Sequence, residues 1–88
     1  MNNVTDNLGL QIGKLYTFVK NCEVWETLNE NTLNRRANRG DLVVLLALDQ
    51  SSLLPDCVVA KLLTSKGSVV SMYIKSTYAQ PWLMETPR

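Results

Sequence analysis

Two β-favouring runs joined by a tight turn give the clearest periodicity in the chain. Val58-Val-Ala-Lys-Leu-Leu-Thr64 is followed by Ser65-Lys66-Gly67 and then by Ser68-Val-Val-Ser-Met-Tyr-Ile74. Alternation places Val58, Ala60 and Leu62 on one face and Val59, Lys61 and Leu63 on the other; in the second run Val69, Ser71 and Tyr73 alternate with Val70, Met72 and Ile74. The spacing predicts a hairpin, and its Lys66-Gly67 turn has a register to hold, because a slip of one residue would exchange the faces.

The remaining apolar segments fall on either side of this hairpin. Lys14–Lys20 is rich in aromatic and β-branched residues, with Leu15, Thr17 and Val19 alternating with Tyr16, Phe18 and Lys20, and predicts a strand. Leu42–Leu48 is a nearly continuous apolar run of strand length and predicts a central strand covered on both faces. Pro55 sets a connecting loop between that run and the hairpin. After Ile74, Lys75-Ser-Thr-Tyr-Ala-Gln-Pro81 predicts a turn, with Pro81 biasing Gln80 away from the helical region, and Trp82–Glu85 predicts a short closing strand. The polar stretches at residues 1–7 and 86–88 read as tails around one domain over residues 8–85.

Asn21–Gly40 breaks the alternation. Five asparagines (Asn21, Asn29, Asn31, Asn34 and Asn38) favour turns, since the short amide competes for backbone hydrogen bonds. Trp25, Leu28 and Leu33 form a broken apolar stripe compatible with a helical turn or a short irregular hairpin, and the residues do not decide between them. A long loop in so small a domain is a frequent seat of function.

Five strands in this order, joined by a long loop, a medium loop, a tight turn and a helical turn, resemble the SH3-like small β-barrel. Four local features carry the resemblance: Leu15-Tyr16 in the first strand, Gly40-Asp41 before the second, Ser65-Lys66-Gly67 at the distal turn, and Ser76-Thr77-Tyr78 leading into the last strand. Leu62-Leu-Thr-Ser-Lys-Gly-Ser68 and Trp82-Leu-Met-Glu85 are also similar to small SH3-like proteins of tailed-phage genomes. The match spans residues 12–85 and implies an all-β, five-stranded barrel with a long first loop and a 3₁₀ turn before the last strand. Peptide-binding members carry paired tryptophans at the start of the third strand, where this chain has Cys57-Val58-Val59. The aromatics left to line a proline-rich groove are Tyr16, Tyr78, Trp25 and Trp82.

Composition narrows the function classes. Nine Lys and Arg against eight Asp and Glu leave a formal charge of +1, which supplies no general attraction for nucleic acid or an anionic membrane. The N-terminal segment lacks the basic and apolar regions of a signal peptide, and no apolar run reaches membrane-spanning length, so the expectation is a cytoplasmic protein with no membrane partner. Cys22 and Cys57 have no metal-ligand spacing and read as small core or strand-end residues. With no histidine, scattered carboxylates and no phosphate-binding glycine loop, no catalytic residue, cofactor or metal site is expected.

The polar features left over are Trp25 and the cluster Arg35, Arg36 and Arg39. Three guanidiniums in five residues suit phosphates or an acidic partner surface, while the alternative is a solvated loop whose arginines pair with Glu23, Glu26 and Glu30. Trp25 either anchors a partner or folds back as a lid on an open barrel end, and Tyr73 and Tyr78 could extend a recognition patch. The expected function is therefore a non-catalytic protein-interaction module, in the manner of a phage accessory or regulatory protein, that binds a partner or a second copy through residues 21–40. Nucleic-acid binding through the arginines and a structural virion component are the alternatives.

Overall fold

The computed structural model describes residues 10–75 and 83–85. Both expected tails, the expected 3₁₀ turn, Tyr78 and Trp82 lie outside the described residues. Seven antiparallel strands and no helix make up the described chain: β1 (Leu15–Phe18), β2 (Cys22–Leu28), β3 (Asn31–Ala37), β4 (Leu42–Gln50), β5 (Cys57–Thr64), β6 (Val69–Lys75) and β7 (Leu83–Glu85). They form one sheet in the order β3-β2-β6-β5-β4-β1-β7. Each strand gives at least one side chain to a single buried cluster, which requires the sheet to curl around its own inner face.

The β5–β6 hairpin has the expected faces. Val58, Ala60 and Leu62 point inward opposite Ile74, Met72 and Val70, and all six are buried. The turn is a three-residue loop in which Gly67 N–H donates to the Thr64 carbonyl at 3.0 Å and Ser68 N–H donates to Thr64 Oγ1 at 3.2 Å. Gly67 sits at φ +85°, which an L side chain rarely adopts. Phe18, Leu45, Leu62 and Met72 fill the centre of the core, each contributing about 1.5–3 kcal/mol by burial.

The expected long loop at residues 21–40 is instead a regular hairpin, and this raises the strand count from five to seven. β2 and β3 pair over seven consecutive positions, from Cys22↔Ala37 to Leu28↔Asn31. A two-residue turn, Asn29-Glu30, joins them with φ +50° and +69°. Two positive φ values in a two-residue loop match the right-handed twist of the strands, and asparagine tolerates the first of them. Glu30 has no such tolerance. Replacing it with glycine is expected to stabilise the protein by about 0.5–1 kcal/mol, read as a higher urea midpoint with an unchanged slope.

Leu42–Leu48 also departs from expectation. β4 is central, lying between β5 and β1, but only its inner face is covered. Val43 and Leu45 are buried, whereas Leu42 and Leu46 are 43% and 40% exposed. The register shifts between Leu45 and Ala47, so Leu46 is the extra residue of a bulge that turns the strand. Tyr16, a possible groove aromatic by sequence, is a core residue instead, and its hydroxyl accepts a hydrogen bond from Gln11 N–H at 2.8 Å.

Candidate functional site

The chain turns from β3 into β4 through Asn38-Arg39-Gly40-Asp41. Asp41 N–H donates to the Asn38 carbonyl at 3.0 Å, and Asn38 N–H donates to Asp41 Oδ2 at 2.8 Å. Gly40 supplies the positive φ at the third position of the turn. Its N–H donates to the Phe18 carbonyl at 2.8 Å, which ties the hairpin's exit to the end of β1, while Arg39 N–H donates to Asn21 Oδ1 at 2.8 Å, which closes the two ends of the hairpin on each other. This turn fixes where the arginines stand.

Strand alternation then separates them. Cross-strand partners share a face, so Arg35 lies with Val24 and Ala37 on the inner side, and Arg36 lies with Glu23 on the outer side. Arg39 belongs to the turn itself. Arg35 Nε donates to Glu26 Oε1 at 3.2 Å, across a diagonal pair of positions. Glu26 is 9% exposed, buried on the inner face. The expected pairing of arginines with glutamates therefore holds for Arg35 and Glu26, while among the described residues no ion pair joins Arg36 or Arg39 to Glu23 or Glu30.

Below the Glu26–Arg35 pair, an open groove of about 410 Å³ runs between the β2–β3 hairpin, the start of β4 and the β5–β6 turn. Phe18, Val24, Val43 and Val70 make its apolar floor, and Glu26, Arg35, Asp41 and Lys66 bring charge of both signs to its walls. Glu26 and Lys66 are the site residues that sequence reasoning missed. The signal was the sum of positions in a two-residue hairpin about Asn29-Glu30, which sets residue 24 against residue 35 and leaves residue 26 diagonal to it.

Trp25 is not a lid on a barrel end. It projects from the outer face of β2, half-buried, with its ring centroid 4.8 Å from that of Tyr73 and the rings tilted by 46°. The contact exists because β2 joins β6 through Trp25↔Ser71, which places Tyr73 one alternation away on the same face. A tilted pair at that distance contributes about 0.5–1.5 kcal/mol beyond the area it buries. Tyr73 stays 37% exposed. Lys61, opposite Ser71, continues the row on β5, and Glu23 and Arg36 flank Trp25 on the other side.

Comparison with protein-family models, with curated proteins and with solved structures finds no match. The candidate site therefore rests on its own geometry.

Cys22 and Cys57 are free thiols, the first partly buried at the start of β2 and the second buried at the start of β5. Burial raises the Cys22 thiol above its ordinary pKa, with the Glu23 carboxylate adding to the shift, so the group is a poor nucleophile at neutral pH. No helix among the described residues is long and apolar enough to cross a membrane.

Proposed function

We propose that the chain is a non-catalytic protein-interaction module built on a small SH3-like barrel, and that it engages its partner through the β2–β3 hairpin and the aromatic face beside it. The order of connections supports the fold assignment: a long excursion after β1, a medium loop after β4 and a tight turn after β5. The observation that carries the function is the Trp25–Tyr73 pair, held on the outer face of the sheet yet left open to solvent. Large aromatics that keep exposed surface beside an arginine have the composition of a binding hot spot. Arg36, outward-facing and without an ion pair among the described residues, supplies the neighbouring charge.

Affinity capture from the native host tests this with the Trp25→Ala and Arg36→Glu variants beside wild type. The expected result is at least about a tenfold loss of captured partner for each variant, the size of one hot-spot truncation, with unchanged thermal melting for Arg36→Glu. Recovery of the same partners in the same amounts by all three proteins overturns the reading.

One observation favours a second reading. Arg36 and Lys61 lie on the same outer face as the aromatic pair, the combination used to stack and neutralise single-stranded nucleic acid. Glu23 and Asp49 on that face work against it. Anisotropy titration of a labelled oligonucleotide at low salt separates the two readings, since phosphate-dominated binding falls steeply as salt rises.

A further inference from the structure

Among the described residues one edge of the sheet is β3, which pairs there with β2 alone. Its seven residues run in unbroken register without a bulge or a proline, and all but Ala37 are exposed. A long flat edge of this kind is a template for another strand, and proteins ordinarily blunt it. Here the only blunting among its own residues is charge of one sign, from Arg35 and Arg36. The hairpin's acidic side chains on β2, Glu23 and Glu26, lie one strand further in.

Resting on the protein-interaction reading above, we propose that the open edge of β3 accepts an extended acidic segment of a partner protein as an additional strand. The two-residue turn makes Leu28 and Asn31 the first hydrogen-bonded pair of the hairpin, and alternation then turns the backbone N–H and C=O of Thr32, Asn34 and Arg36 away from β2. Those groups are the docking ladder. Charge selects what docks. Antiparallel pairing of β3 with a second copy offers its arginines no carboxylate, and any register that sets Arg35 or Arg36 opposite its own copy faces like charges across the strands, which is destabilising. A strand bearing carboxylates reverses that sign.

The arrangement also specifies where the carboxylates belong. Arg35 and Arg36 are consecutive and so point to opposite faces of the sheet. Two consecutive acidic residues in the incoming strand also point to opposite faces, one to each guanidinium. Arg35 bonds Glu26 through Nε, which leaves its Nη groups for a second carboxylate. Main-chain bonds supply the affinity in this mode, and alternate side chains supply the specificity.

The test uses the full chain and a synthetic ten-residue peptide with a central Glu-Glu flanked by threonine and valine. The controls are the same peptide with Lys-Lys and a single-stranded oligothymidylate. The expected result is saturable binding of the acidic peptide below about 1 mM, with amide exchange at Thr32, Asn34 and Arg36 slowed at least about tenfold on saturation. Amides of Leu33 and Arg35, already bonded to β2, should change little. Arg36→Ala should weaken binding about tenfold, the worth of one charge-assisted hydrogen bond. Asn34→Pro should abolish it and still fold, because the lost N–H faces away from β2 and proline is tolerated at such edges.

The proposal is overturned by absence of binding at 1 mM, or by equal binding of the Lys-Lys peptide or the oligothymidylate. It is also overturned if binding perturbs Trp25 and Tyr73 and leaves the three outward amides unprotected; in that case the interaction reading stands and only the strand-addition mode falls. Because the exchange pattern is measured on the wild-type protein, the test survives if Asn34→Pro does not fold.

Discussion

Phe18→Ala is expected to remove a large share of the protein's stability. Phe18 is 1% exposed, stands at the end of β1 where the chain turns into the hairpin, and also floors the groove. Truncating a buried phenylalanine costs about 3–5 kcal/mol, from lost transfer energy and the cavity left behind. A domain of 88 residues has a total stability of only about 4–13 kcal/mol. Urea unfolding followed by far-ultraviolet circular dichroism measures the loss. The informative comparison is Leu46→Ala, in the bulge of β4 and 40% exposed, expected to stay within about 0.5 kcal/mol of wild type. Similar costs for the two variants would contradict the division of the sheet into a covered inner face and an open outer one.

The second large effect is expected at Glu26 and Arg35. Arg35→Ala leaves the Glu26 carboxylate, with only 11% of its side chain exposed, without the one ion pair it makes among the described residues. A buried polar group stripped of its partner costs about 1–3 kcal/mol. The lower part of that range applies, because the Arg35 side chain is 52% exposed and water can screen what remains. The double variant Glu26→Leu/Arg35→Leu removes both charges from an apolar groove and is expected to return to within about 1 kcal/mol of wild type, as apolar replacements of inward-facing ion pairs often do. A double-mutant cycle gives the answer: if the single and double variants add without coupling, the pair is not what holds Glu26 in place.

The legible parts of the fold are those where apolar alternation and turn chemistry agree. The β5–β6 hairpin could be read residue by residue because Val58, Ala60 and Leu62 alternate cleanly with their outward neighbours and Gly67 marks the turn. The β2–β3 hairpin could not. Its turn is Asn29-Glu30, without the glycine that signals a two-residue loop, and β3 buries only Ala37, so no period of two appears in its hydrophobicity. Glu26 hides the pattern further by placing a carboxylate on the inner face. In Leu42–Leu48 the opposite error arises: leucines on the open face look the same in sequence as leucines in the core, and the bulge at Leu46 is silent.

For the candidate site, the residue types were visible and their grouping was not. Trp25 and Tyr73 stand out as aromatics, but their contact depends on β2 pairing with β6 across intervening strands, a long-range choice that no local pattern records. The arginine cluster reads as one feature along the chain. The pleat divides it, sending Arg35 to the groove and Arg36 to the outer face.

The seam between β2 and β6 has a consequence for motion. It consists of one register pair, Trp25↔Ser71, whereas β5 meets β6 over seven consecutive positions. Among the described residues, hydrogen-bonded anchorage of the β2–β3 hairpin to the rest of the sheet is thus concentrated at its base, through Gly40–Phe18, and at this single point halfway up. Beyond Trp25 the hairpin is a cantilever. Opening its tip breaks few hydrogen bonds to the rest of the sheet, so its amides are expected to exchange before those of β5 and β6, and a change in the angle of the tip would change the width of the groove beneath it.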